Sequence, residues 1–260
     1  MITICLIATR NYIQHCNNLI ADLEKNCRNA ELQLLIFSDN PPEILKTRRH
    51  VAKTILIPSF GWPEATIKRY ELISENHKEI RGNYVIYMDS DLRVMRNFVP
   101  EFIRLTSSEK MSLVAHPGFW RPKRIARIML YLTSPKLLMR DIRRRILIGG
   151  LGSWETSVKS TAFVARKMRR SYVCGGFWGG TKNIVLGMCG ELAESVRIDN
   201  QNNVVAVWHD ESHLNAWLSK NDSVILTPEF CLEVEYRNLK NLNPYVIAVS
   251  KSEETKNRLK

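Results

Sequence analysis

The chain has 260 residues, 45% hydrophobic and 25% charged, a balance that excludes a disordered or fibrous polypeptide and suffices for a full core. Its 38 lysines and arginines against 26 acids give a net charge of +12, which directs attention to anionic partners: nucleic acid, an anionic membrane surface or phosphorylated substrates. Six cysteines form no CxxC pair, which leaves no zinc-finger framework, so free, buried thiols in a reducing compartment are expected.

The first element, Ile2–Ala8, is apolar throughout, with no positive segment before it and no small-residue cleavage site after it. It is far shorter than the roughly 20 apolar residues that span a bilayer, so it reads as a buried strand. The expectation is a soluble or peripheral chain, cytoplasmic or at the inner face of the plasma membrane. Tyr12, Cys16, Leu19, Ile20 and Leu23 then lie on one helical stripe, and 32–37 is a second apolar run closed by the turn signal Ser38-Asp39-Asn40-Pro41-Pro42. A short strand at 54–57 precedes a helix after Pro63 that carries Ile67, Tyr70, Leu72 and Ile73. The buried run Tyr84–Met88 stops at Asp89-Ser90-Asp91. Alternating strands and helices predict an α/β fold with a mainly parallel sheet covered on both faces. Ligands bind such sheets at the carboxyl ends of the strands, so Thr9-Arg10, Ser38-Asp39 and Asp89-Ser90-Asp91 should share one rim. Further on, 111–116, 161–165, 172–177 and Ser223–Leu226 read as strands. Residues 184–196 read as a helix despite Gly187 and Gly190, and 208–218 as a short helix with an acidic start.

Asp89 and Asp91 follow five apolar residues. If the chain stays extended, side chains at i and i+2 point the same way and both carboxylates face one point. Two close carboxylates repel unless a cation lies between them, and hard oxygen ligands suit Mn²⁺ or Mg²⁺ with substrate phosphates completing the shell. The other reading is an Asp-rich turn. The run Trp208-His209-Asp210-Glu211-Ser212-His213-Leu214-Asn215 packs two acids and two histidines into five positions, which suits acid–base or nucleophilic work. It equally suits a helix start whose acids favour the macrodipole. Gly175-Gly176-Phe177-Trp178-Gly179-Gly180 reads either as a wall for a flat ligand or as a tight hairpin.

Taken together, Asp89-Ser90-Asp91, His-Pro-Gly-Phe-Trp at 116–120, Cys-Gly-Gly-Phe-Trp-Gly-Gly at 174–180, the 208–215 run and Thr-Pro-Glu-Phe at 227–230 resemble glycosyltransferase family 6, in a bacterial-type form. The resemblance implies a GT-A fold with a nucleotide-sugar-binding half at 1–110, an acceptor-binding half at 111–250 with an insertion at 121–153, and a C-terminal flap at 251–260. It also implies retaining transfer of N-acetylgalactosamine or galactose from a UDP-sugar donor to O3 of a galactose, on an oligosaccharide or lipid-linked glycan such as a lipopolysaccharide precursor.

By matching motifs, Ile7, Ala8, Thr9 and Tyr12 would form the uridine pocket, with Trp62 and Arg69 near the donor. Asp89, Ser90 and Asp91 would hold the diphosphate, with Asp89 and Asp91 on Mn²⁺ or Mg²⁺. Cys174, Gly175 and Gly176 would select the donor sugar, and the bare Gly176 favours an N-acetyl group. Asp210 would bind donor hydroxyls and Glu211 would be the catalytic carboxylate. His116, Trp208 and Glu229 would hold the acceptor. Lys251 would close over the diphosphate, while the arginine expected six residues later falls on Asn257.

Residues 121–148 depart from that pattern. Nine basic residues against Asp141 give +8 of the chain's +12, interleaved with ten isoleucines and leucines and two methionines. Basic and apolar residues at helical spacing suit an interfacial helix on an anionic membrane, a lid, or a patch packed on the domain. A transferase with another sugar or linkage is a second reading of the chain. A non-enzymatic basic binder is a third, although no RRM, KH or helix-turn-helix signature is present and nucleic acid is not expected as a partner.

Overall fold

The computed structural model describes residues 1–39, 47, 49–61, 63–233, 239 and 242–249. Its first three strands are β1 (Ile2–Ala8), β2 (Leu32–Ser38) and β3 (Val51–Leu56), with α1 (Tyr12–Asn26) between the first two. Every residue of β1 and β2 is buried, as expected of central parallel strands covered on both faces. Their two polar side chains satisfy each other, Thr3 Oγ1 donating to Gln33 Oε1 at 2.7 Å. The third strand starts three residues earlier than the sequence suggests. Its partly exposed edge position leaves little apolar signal to mark its start.

The helix expected after Pro63 is two short pieces, α2 (Glu64–Ile67) and α3 (Arg69–Glu75). Next come β4 (Tyr84–Met88), β5 (Leu92–Val94), α4 (Val99–Leu105) and β6 (Met111–Ala115). The basic segment folds into two helices, α5 (Arg124–Thr133) and α6 (Pro135–Leu147). The chain then runs through β7 (Val173–Thr181), α7 (Lys182–Gln201), α8 (His209–Leu218), β8 (Ser223–Leu226), β9 (Leu232–Glu233) and β10 (Val246–Ala248). Residues 161–165 are not a strand. Their polar groups are taken up by α7 instead, the Thr161 amide donating to Asp199 Oδ1 at 2.7 Å.

The central sheet has the order β3-β2-β1-β4-β7-β6-β8, and β7 alone runs antiparallel to its neighbours β4 and β6. This is the α/β, GT-A-like arrangement the motifs imply. One sheet takes strands from both sides of residue 110. A small sheet, β5-β10-β9, flanks it. One face of the central sheet buries Cys16, Leu19 and Leu23 of α1. The other buries Tyr70 and Ile73 of α3 with Val185, Met188 and Leu192 of α7.

The insertion of β7 changes the reading of the glycine doublets. They lie inside a nine-residue strand rather than a hairpin. Phe177 and Trp178 are fully buried, Phe177 edge-on to Phe98 and Phe102, Trp178 stacked on Tyr70 and Tyr87. They are core residues, not a ligand-facing wall.

Candidate active site

The parallel strands β1, β2 and β4 end on one side of the sheet, and their tails converge as expected. The Arg10 amide donates to both Asp39 oxygens at 3.2 and 3.3 Å, and Ser38 Oγ donates to the Ala8 carbonyl at 2.7 Å. Thr9 Oγ1 reaches the Phe60 carbonyl at 3.2 Å. Ile7, Ala8 and Thr9 are buried, whereas Tyr12 on the first turn of α1 is exposed. Because β7 runs the other way, its beginning lies on this same rim. The Asp89 amide donates to the Gly176 carbonyl at 2.9 Å, which sets Cys174, Gly175 and Gly176 beside the aspartates.

Asp89-Ser90-Asp91 is a turn, closed by the Leu92 amide on the Asp89 carbonyl at 3.2 Å. The extended-chain argument for two carboxylates on one face therefore does not hold, and the chain reverses there into β5. Ser90 is buried in the turn. The Asp89 carboxylate is one-third exposed, and its Oδ1 accepts the Tyr87 hydroxyl at 2.8 Å.

Arg69, at the start of α3, is almost completely buried and organises the rest. Its Nη1 lies 2.9 Å from Asp210 Oδ2 and donates to the Gly175 carbonyl at 2.8 Å. Its Nη2 lies 3.3 Å from Asp89 Oδ1, and its Nε donates to the Thr66 carbonyl at 2.9 Å. The guanidinium sits 4.4 Å over the Tyr87 ring. A planar fork with five donors can meet two carboxylates and two carbonyls at once, and an ammonium cannot.

Glu211, one residue beyond Asp210 in the first turn of α8, is held by two donors from the β7 entrance. Tyr172 Oη donates to Oε1 at 2.7 Å and the Gly175 amide to Oε2 at 3.0 Å. Burial pushes Glu211 up to about 7, against the pull of those two hydrogen bonds. Asp210 is likewise raised to about 7 by burial, with Arg69 acting in the opposite direction. The residue before this pair, His209, has a left-handed backbone (φ 47°), as has Arg10 (φ 54°), and such strain gathers at functional sites.

Both glycines of the first doublet are required by close approach. A Cβ on Gly175 would stand 2.7 Å from Asp210 Oδ2, and one on Gly176 would stand 2.9 Å from Asp89 Oδ2.

His116 belongs to the same assembly through Tyr172. Its amide donates to the Tyr172 carbonyl at 3.0 Å, and its ring lies 5.8 Å from the tyrosine ring. Burial lowers the His116 pKa, opposed by the charge of Glu233. Trp208 is half exposed at the head of α8. Glu229 is held by partners from neighbouring segments. Its Oε1 accepts the Asn243 amide at 3.1 Å, with Arg96 at 4.0 Å, and its Oε2 accepts the Thr227 hydroxyl at 3.0 Å. The charge of Glu233, four residues on, acts to raise the pKa of both His116 and Glu211. Spacing marks neither Glu233 nor Tyr172, since each lies just outside the motif that flags its segment. Trp62, Lys251 and the 251–260 flap lie outside the described residues.

Residues 152–258, which carry the glycine doublets, the 208–215 run and the Thr-Pro-Glu-Phe segment, match the family model for glycosyltransferase family 6. Over this segment the chain is similar to glycosyltransferase family 6. It is 23% identical over 203 residues to histo-blood group ABO system transferase 1 of Rattus norvegicus, covering 75% of this chain and 50% of that one. It is 25% identical over 213 residues to globoside alpha-1,3-N-acetylgalactosaminyltransferase 1 of Homo sapiens, covering 78% and 52%. The same enzyme of Canis lupus familiaris is 27% identical over 175 residues, covering 65% and 41%. The chain thus spans about half the length of these relatives.

Among the described residues, no cluster of three or more His, Cys, Asp or Glu side chains stands ready to enclose a metal ion. The donor chemistry still fits a hard divalent cation. Mg²⁺ and Mn²⁺ sites of this kind use one or two carboxylates and finish their shell on phosphate oxygens, and Asp89 is a solvent-reaching carboxylate at the strand end.

Proposed function

We propose that this chain is a retaining glycosyltransferase that moves N-acetylgalactosamine, or galactose, from a UDP-sugar to O3 of a galactose-containing acceptor. The observation that carries this reading is the joining of Asp89 and Glu211 through one buried network, by way of Arg69, Asp210 and the Gly175 peptide. Breaking a glycosyl–phosphate bond leaves negative charge on the nucleotide and positive charge on the sugar, so an enzyme for it needs an electrophile and a carboxylate a few ångströms apart.

Asp89 and Asp91 are the residues to hold Mn²⁺ or Mg²⁺, which when bound would supply charge neutralisation at the departing diphosphate. Ile7, Ala8, Thr9 and the exposed Tyr12 ring offer the nucleoside a buried floor and an aromatic edge on the same rim. Glu211 is suited to face the anomeric carbon. Its two donors fix the carboxylate, and its raised pKa marks a charge held in a desolvated place, where it stabilises an oxocarbenium-like carbon more strongly than it would in water. Asp210, paired to Arg69, presents its remaining lone pairs to the donor hydroxyls. His116, kept neutral by burial, can accept from or donate to the acceptor hydroxyls, with Trp208 beside it. Glu233 takes the acceptor-side role that the motif alone would give to Glu229. Lys251 is proposed to reach the diphosphate from the C-terminal segment. The absence of a side chain at Gly176 supports the N-acetyl donor.

A bacterial acceptor such as a lipopolysaccharide precursor agrees with the basic 121–148 segment. The deciding experiment is a screen of UDP-sugars against fucosylated and plain galactosides with Mn²⁺, and with EDTA as control. Transfer from UDP-N-acetylgalactosamine that EDTA abolishes is expected. No transfer from any UDP-sugar would overturn the reading.

A further inference from the structure

We infer that the α5–α6 hairpin is a docking element that seats an apolar face in an anionic lipid bilayer. On α5, Ile125, Ile128, Met129 and Leu132 stand at i, i+3, i+4 and i+7, which is one helical face, and all are more than half exposed. On α6, Met139, Ile142 and Ile146 stand at i, i+3 and i+7, and they are exposed as well. The opposite side of α6 is the one that packs on the protein, through buried Leu137 and Asp141. Both helices therefore turn their apolar stripe outward, the reverse of a helix that is covering a core.

Charge complementarity identifies the occupant. The segment carries +8, with Lys136 and Arg143 close to the α6 stripe and Arg145 across it. A second copy of the chain would bring the same +8 against itself, whereas an anionic leaflet attracts each basic residue near its surface. Helices of 10 and 13 residues with this charge lie in the interface plane. Consistently, no helix among the described residues is long and apolar enough to cross a membrane.

The hairpin is fastened to the acceptor side of the site. Arg121 pairs with buried Asp141, Nε to Oδ2 at 2.5 Å and Nη2 to Oδ1 at 2.7 Å, while its Nη1 donates to the Gly118 and Trp120 carbonyls. Tyr131 of α5 donates to the same aspartate at 2.9 Å, and Arg140 of α6 donates to the Gly118 carbonyl at 3.2 Å. Arg144 lies 4.9 Å over the Phe119 ring. A bilayer that holds the hairpin thereby holds the 116–120 loop at the lipid surface.

The test uses the full chain with vesicles of phosphatidylglycerol and phosphatidylcholine in equal parts, and with phosphatidylcholine alone. Sedimentation with the mixed vesicles is expected, with at least about tenfold weaker binding to the neutral ones and a steep loss with added salt. The triple variant I125Q/I128Q/L132Q changes only exposed side chains, so it should keep the parent melting temperature and lose about tenfold or more in vesicle affinity. R143Q/R145Q should bind mixed vesicles more weakly and gain nothing on neutral ones. Equal sedimentation of parent and both variants would overturn the inference. So would failure to bind mixed vesicles, or lipid-free self-association that the triple variant abolishes. Transfer to a soluble galactoside should be unchanged in both variants, so loss of docking and loss of the transferase reading are separately visible.

Discussion

Arg69 Nη1 lies 2.9 Å from Asp210 Oδ2, joining residues 141 positions apart in a place with almost no solvent access. A buried ion pair of this sort is tolerated only when its remaining hydrogen-bonding capacity is met, and here Thr66, Gly175 and Asp89 meet it. The pair fixes the distance between the β4 end, the β7 entrance and the head of α8. Replacing Arg69 with Ala would leave Asp210 buried and uncompensated. A loss of about 3 kcal/mol or more is expected, read as a fall in the denaturation midpoint. R69K should recover part of the stability and little of the turnover, because one ammonium cannot serve two carboxylates and two carbonyls.

Glu211→Gln should reduce transfer on the order of a thousandfold while UDP affinity stays within a few-fold of the parent. Isothermal titration with UDP and a radiolabelled transfer assay separate the two quantities. Near-normal turnover would remove Glu211 from the catalytic role.

Burial holds Glu211 at about 7. Since the ionised form is the one that stabilises a cationic carbon, kcat/KM should rise with pH through about 7 and fall away on the acid side. The same shift has a stability consequence of opposite sign. A carboxyl whose folded pKa is raised lends stability at acid pH, and that stability is lost as pH climbs from the ordinary glutamate range through 7. E211Q should therefore gain melting temperature relative to the parent at pH 8 more than at pH 5. A flat difference between those two pH values would contradict the assignment.

Tyr172→Phe removes one of the two donors to Glu211. A hydrogen bond to the ionised form lowers a pKa, so its loss should move the acid limb of the pH profile up by about one unit. The measurement is the midpoint of that limb, and a merely structural role for Tyr172 would lower kcat without moving it.

Gly176→Ala places a methyl group 2.9 Å from Asp89 Oδ2, closer than such contacts allow. Asp89 must shift, and transfer from both UDP-N-acetylgalactosamine and UDP-galactose should fall at least about tenfold, with a higher Mn²⁺ requirement. If use of the N-acetyl donor alone falls, the added methyl occupies sugar space and the aspartate has not moved.

The amino-acid order by itself determined β1, β2 and β4, because strands buried on both faces must be apolar at every position and end abruptly in polar residues. It also marked residues 208–215 as a candidate site, with a helix start as the equal alternative, since two acids and two histidines fall in five positions. Only the tertiary structure decided what β7 is. A strand running antiparallel between two others looks locally like a glycine-rich hairpin, and nothing along the chain says that Phe177 and Trp178 will be enclosed. It decided that Asp89-Ser90-Asp91 bends and that 161–165 gives its polar groups to α7. The physical reason is common to all of these. Local spacing records which side chains share a face, whereas the partners of a buried charge or an inserted strand come from segments a hundred or more residues away. No periodicity carries that information.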